Sequence, residues 1–354
     1  MERVFYWMIW AWWLIGIFLI LQLTLLGVLL IGKYRSLRFI ERVEKSCTAI
    51  MPVMKDYVSG SLEEVYGLPK NTRLRREVLE KVLSQIRSET KSAVEQEKVR
   101  QLAVQELQPL YQKMLSGGSW ADRMNAMYFM EEFLLVDMGD TLAERVRRGM
   151  RSGEEYRQAL RVLASFSHLQ AVESLSDEKN KSVAFIKEIM RRLNREKLTL
   201  LYYRTGRQDL LLLQAFLVHA GERGEEVFLP YVEKALQHEE MEIRLKALKS
   251  LGFYQQVEQP ELIEPFFHSE FWEERMYACK TAAALSGAQW KESLLRLLGD
   301  PAWWVRSAAA EALLSFSDGP DLLEEARKNH QDRYARDMAA KMLTTRGEVS
   351  VHDG

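Results

Sequence analysis

Four arginines, Arg244, Arg275, Arg306 and Arg336, follow one another at intervals of 31, 31 and 30 residues, and each heads the same short pattern. A small residue stands three positions on, a small or apolar residue four on, and another seven on. The sets are Ala247, Leu248 and Leu251; Ala278, Cys279 and Ala282; Ala309, Ala310 and Leu313; and Ala339, Ala340 and Leu343. Residues at these offsets share one face of a helix. Small side chains there let a second helix approach closely. Between the four helices lie shorter amphipathic stretches, Leu262 to Phe267, Trp290 to Leu298 and Leu322 to Ala326. Each is entered through a turn signal: Gln259-Pro260, Ser286-Gly287 or Asp318-Gly319-Pro320. The unit is therefore a helix, a tight turn and a second helix. Neither helix can bury its apolar face alone, so consecutive units must stack.

The stretch Asp300-Pro301-Ala302-Trp303-Trp304-Val305-Arg306-Ser307-Ala308-Ala309-Ala310-Glu311-Ala312-Leu313 resembles a HEAT repeat of the short kind first associated with phycobilisome lyases. That pattern reads roughly D-P-x-x-x-V-R-x-x-A-A-x-A-L. Residues 239–346 form the regular zone, and 347–354 a tail. Upstream, Arg123, Ala126, Met127 and Met130 keep the spacing. Tyr156, Ala159, Leu160 and Leu163 keep it with tyrosine in the arginine position, and Leu212 to Phe216 keeps less of it. Residues 119–238 are read as degenerate repeats. The resemblance implies a helical scaffold whose concave face binds partners; it implies no particular reaction. A recurring arginine at a fixed repeat position is expected to be architectural, bracing the preceding turn of its neighbour.

From Val4 to Ile31 no residue is charged. About 20 helical residues cross a hydrocarbon core, so residues 4–32 read as one transmembrane helix. Tyr6, Trp7, Trp10, Trp12 and Trp13 crowd its first half, as suits a lipid–water boundary. A cleaved signal peptide would have a basic start, a shorter apolar core and a small-x-small site; the start here is Met1-Glu2-Arg3 and no clear site follows. Lys33, Arg35, Arg38, Arg42 and Lys45 follow the span, against Glu41 and Glu44. This basic excess places the N-terminus outside and the rest of the chain in the cytoplasm.

Residues 33–118 read as a helical connector. Leu37, Ile40, Val43, Cys47, Ile50, Met54 and Tyr57 recur at steps of three or four. The stripe is expected to dock on the first helices of the domain rather than to form a dimer seam. Pro52 should kink or end it. Two longer helices follow between Asn71 and Leu115, one faced by Leu74, Val78, Val82 and Ile86. Gly117 and Gly118 end the second. The fold class is thus all-α, a single N-terminal transmembrane helix followed by an α-solenoid of HEAT-like helix pairs.

Catalytic signatures are lacking in the sequence. None of His168, His219, His238, His268, His330 and His352 has a histidine three or four residues away, and no phosphate-binding glycine loop or GxSxG elbow occurs. No metal or other cofactor is expected. Cys47 and Cys279 lie far apart, which favours a reducing compartment over a disulfide framework. With 49 basic against 50 acidic residues, overall charge gives no argument for nucleic acid. One local asymmetry stands out. Between Lys179 and Arg207 the basic residues include Lys181, Lys187, Arg191, Arg192, Arg195, Lys197 and Arg204, opposed by Glu188 and Glu196; the chain then turns acidic from Glu222 to Glu242. This is either a solvated face or a contact for anionic lipid headgroups or an acidic partner, with Lys187, Arg191, Arg192, Arg195 and Lys197 as candidates.

The reading is a membrane-tethered adaptor at the cytoplasmic membrane face, not an enzyme. Trp272, Trp303 and Trp304 are the candidate partner-binding residues, although one of the adjacent pair is expected to pack between repeats. The expected partner is a membrane-associated protein, for example an enzyme complex making or exporting envelope polymers. The alternative is an enzyme or enzyme subunit, lyase-like by the resemblance, with a site on the concave face.

Overall fold

The structure is a computed structural model describing residues 2–177, 182–205 and 209–352, with side chains described except in 2–12, 14, 15, 176, 177, 205 and 346–352. Tyr6, Trp7, Trp10 and Trp12 lie outside the described side chains, and Lys179, Lys181 and Arg207 outside the described residues. Among the described residues the elements are all helical. The chain divides into two units, residues 1–162 and 163–354.

The first unit begins with α1, Glu2–Ser59. Its apolar stretch is long and hydrophobic enough to cross a bilayer, and its side chains there are exposed, for instance Leu23 and Leu29. Beyond it, Val43, Cys47, Ile50, Met54 and Val58 are buried against α2, Thr72–Glu89, and α3, Ala93–Glu106. The stripe therefore docks from Val43 onward, whereas Leu37 and Ile40 stay exposed. Pro52 does not end the helix. It sits on the exposed side, and buried neighbours before and after it hold the segment helical.

The helix expected up to Leu115 is two, α3 and α4, Gln108–Gly117. Pro109 cannot donate a backbone N–H to the preceding turn, so the helix breaks at Leu107. Gly118 follows, where an added Cβ would lie 2.6 Å from the Met114 carbonyl oxygen. A reciprocal cap of Ser119 and Asp122 opens α5, Trp120–Glu132, at the expected repeat boundary. After α6, Gly139–Arg148, α7 runs from Gly153 to Ser165 across the boundary of the units.

The second unit contains α8 (Leu169–Asp177), α9 (Val183–Met190), α10 (Arg195–Thr205), α11 (Leu210–Arg223), α12 (Leu229–Ala235) and α13 (Met241–Leu251). It continues with α14 (Trp272–Ala284), α15 (Lys291–Leu297), α16 (Trp303–Leu314), α17 (Gly319–Asn329) and α18 (Arg333–His352). One row of helices stacks in the order α9, α11, α13, α14, α16, α18. The small positions of the repeat are the contact surface: Ala247, Ala278, Cys279, Ala309, Ala310 and Ala339 are fully buried. Backbones approach closely along this row. A Cβ on Gly221 would lie 2.9 Å from Ser250 Cα. Ser250 Oγ donates to the Leu217 carbonyl at 2.6 Å, and one repeat later Thr281 Oγ1 donates to that of Leu248 at 2.8 Å.

Two expectations change here. Residues 262–267 are not an α-helix but parts of two 3-10 turns, Pro260–Leu262 and Glu264–His268, because Pro260 and Pro265 remove the donors a longer helix needs. And α18 continues to His352, through most of the expected tail.

Candidate functional site

The repeat arginines are clamps. Each Nη1 donates to carbonyls six and five residues upstream, in the turn that precedes its own helix. Arg244 reaches His238 and Glu239 at 2.8 and 2.6 Å, and Arg275 reaches Ser269 and Glu270 at 2.7 and 3.2 Å. Arg306 reaches Asp300 and Pro301 at 2.7 and 2.9 Å, and Arg336 reaches His330 and Gln331 at 2.7 and 2.9 Å. The braced turn is thus the arginine's own, not its neighbour's as the repeat pattern suggested. The neighbour is joined through a carboxylate instead. Arg244 Nε donates to Glu274 at 2.7 Å, and Arg275 grips Asp300 with two bonds of 2.6 and 3.0 Å. Glu274 and Asp300 are almost fully buried. In the first unit Arg123 repeats the device, bonding the Gly118 carbonyl at 2.6 Å and buried Glu155 at 3.2 and 2.5 Å. Arg306 breaks the series. The two places that supply the other carboxylates, one and six before the next repeat arginine, hold Ala335 and His330 here, and the guanidinium lies over the Tyr334 ring at 5.2 Å.

The residue six before each arginine completes the turn. His238 Nδ1, Ser269 Oγ, Asp300 Oδ1 and His330 Nδ1 each accept the backbone N–H two residues on, at 3.0, 3.1, 2.8 and 3.1 Å. His168 Nδ1 accepts the Gln170 N–H in the same way at 3.1 Å, so three of the six histidines are turn caps. His219 differs: it is buried on α11, neither ring nitrogen has a partner, and burial followed by nearby Arg223 pushes its pKa down to about 4.

With the arginines turned inward, aromatic rings occupy the outer start of the same helices. Trp272 and Trp303 are the first residues of α14 and α16, each three before its arginine. Their exposures are 37% and 42%, and that of Trp304 is 59%. The Trp303 and Trp304 rings meet edge to face at 4.7 Å, and Lys341 Nζ lies 5.2 Å from the Trp303 ring. Phe271 and Tyr334 are exposed at neighbouring positions. Neither tryptophan of the pair is buried between repeats. That place is taken by Trp290, which packs 6.1 Å from Phe267 and over Gly287, where a Cβ would come within 2.2 Å of the indole. Trp120 was not singled out in the sequence, yet it opens α5 three residues before Arg123 and is 49% exposed. The signal was the Trp-x-x-Arg spacing itself.

The basic run of α9 and α10 finds its counterions within the fold. Lys187 and Arg191 both bond Glu222, at 2.5 and 2.9 Å, and hold its carboxyl below the usual range. Arg195 bonds Glu225 at 3.0 Å. Arg192 donates to the Glu188 carbonyl at 3.0 Å, and Lys197 pairs with Glu196 at 3.0 Å. Cys47 and Cys279 are free and buried, and burial raises the pKa of both thiols.

Residues 259–344 match the family model for HEAT repeats. The matched segment contains Arg275, Arg306 and Arg336 with their clamps. No curated protein matches the chain. Similar solved structures include crystal structures of two engineered proteins. One has a TM-score of 0.28 and 14% identity, covering 58% of this chain and 95% of that one. The other has a TM-score of 0.33 and 12% identity, covering 83% and 98%.

Proposed function

We propose that α1 is retained as a membrane anchor and that the HEAT-repeat segment is a non-catalytic scaffold at the cytoplasmic face, binding a membrane-associated protein. The observation that carries this reading is the exposed aromatic edge of Trp272, Trp303 and Trp304. Large aromatic rings left in water at equivalent positions of adjacent helices are poor for stability and well suited to an interface, where such residues supply much of the binding energy. The anchor would confine scaffold and partner to one surface and raise their effective concentration. The basic excess after the apolar run supports the cytoplasmic orientation. The counterions of the α9–α10 run support a structural role for it over lipid contact.

The test is chemical crosslinking in intact membranes, followed by purification of the full chain. A partner should be recovered with the natural protein and lost with the Trp303→Ala/Trp304→Ala variant. Recovery unchanged by that variant would move the interface elsewhere. Extraction of the chain by alkaline carbonate, without detergent, would refute the anchor.

A further inference from the structure

In the first unit, a cavity of about 840 Å³ opens between the start of α2 and the end of α4. Thr72, Arg73, Arg76, Lys113, Ser116 and Asp122 supply its polar lining, with Leu110 and Met114 as an apolar wall. Three cations therefore meet one carboxylate. Asp122 is already engaged, since it accepts the Ser119 N–H at 3.0 Å and hydroxyl at 2.7 Å in the cap of α5. Glu77 and Glu80 approach Arg76 without lining the cavity; Glu77 bonds Nη2 at 2.9 Å and Glu80 lies 3.7 Å from Nε. The remaining terminal nitrogen, Nη1, donates to the Met114 thioether at 3.3 Å, with Asp122 3.7 Å away. A thioether is a weak acceptor for a guanidinium. Arg73 has the Phe39 ring at 4.8 Å and no carboxylate among the described residues, and Lys113 has none either.

We infer that this cavity binds an organic phosphate monoester. Arg73 and Lys113 present two uncompensated positive charges, matching the roughly two negative charges of such a group. Arg76 Nη1 would exchange a thioether for a phosphate oxygen, and a guanidinium fork fits phosphate geometry. The apolar wall of Leu110 and Met114 beside the cations suits the carbon body of an ester better than a bare ion. The phosphate has two sources. Phe39 lies seven residues beyond Gly32, roughly 10 Å along α1 from the end of the uncharged run, so an acidic lipid headgroup is one. A water-soluble phosphate ester is the other.

The cavity is independent of the aromatic edge, and its test uses the full chain in a neutral maltoside detergent. Calorimetric titration would compare glycerol 3-phosphate, dioctanoyl phosphatidic acid and, as a zwitterionic control, dioctanoyl phosphatidylcholine. Binding of both anionic ligands identifies the phosphate ester alone as sufficient; binding of phosphatidic acid alone identifies the lipid. In either case Arg73→Gln/Lys113→Gln should weaken binding by about tenfold or more, while Lys187→Gln/Arg191→Gln leaves it unchanged. Arg73 and Lys113 are exposed, and circular dichroism would verify the fold of both variants. The inference is overturned if neither anionic ligand binds, if phosphatidylcholine binds equally well, or if the Arg73/Lys113 variant binds like the natural protein.

Discussion

Two stretches of the second unit join neighbouring helices by ion pairs of similar sequence separation and opposite burial. Around α9 and α11, Lys187 and Arg191 reach Glu222, and Arg195 reaches Glu225, with the arginine side chains 60% and 64% exposed. Around α13, α14 and α16, Arg244 reaches Glu274 and Arg275 reaches Asp300, with both carboxylates 4% exposed. Exposed pairs contribute little, because water and salt screen them. Buried carboxylates are different: once taken from water they depend on their partners, and removing one is costly. The difference teaches where the repeat is rigidly specified. The clamped helices lock turn, helix and neighbour together through a single guanidinium, and this frees the outer edge to carry exposed tryptophans.

The sharpest way to break this comparison is Arg275→Ala. It leaves Asp300 buried with only the Ala302 N–H, at 2.8 Å, and it orphans the Ser269 and Glu270 carbonyls. We expect a loss of about 3–5 kcal/mol in urea unfolding. A cost below about 1 kcal/mol would show that the clamp is dispensable.

Next in size comes His219, the buried and unpaired group of the weakly paired stretch. Its folded pKa, about 4, lies below the ordinary histidine value, so the fold holds the neutral ring. Stability from this group is fully present above about pH 6.5 and is lost as pH falls towards 4, by up to about 3 kcal/mol. His219→Leu should flatten that acid loss in unfolding measured from pH 7 to 4. An unchanged slope would place the acid sensitivity in other groups.

The smallest effect belongs to the exposed pairs. Lys187→Gln/Arg191→Gln should cost less than about 1 kcal/mol, and less still in high salt. A loss equal to that of Arg275→Ala would erase the distinction between the two regions.

Sequence made parts of this plain for identifiable reasons. The arginine register and the small residues after it are local, so Ala278, Ala309 and their equivalents could be placed on a buried face at once. The docking of Val43 to Met54 followed from the same periodicity. The clamp carboxylates were not legible, because Glu274 and Asp300 lie 30 and 25 residues from their arginines, at no fixed offset. The basic run showed only Glu188 and Glu196 against it for the same reason: Glu222 and Glu225 lie 30 to 35 residues on. Trp290 and Trp303 cannot be told apart by type; a glycine against the indole buries one, and the first-turn position exposes the other. Of the two outcomes expected at Pro52, a kink or an end, the end does not occur, because burial on the opposite side of α1 outweighs one missing hydrogen bond.

The central claim, that the aromatic edge is an interface, is tested most directly by site-specific photo-crosslinking in intact membranes. The photoreactive residue would replace Trp304 in one variant and Glu325, an exposed position on α17, in another. A discrete protein adduct is expected from position 304 and is weak or absent from position 325. Equal adducts from both positions, or none from position 304, would contradict it.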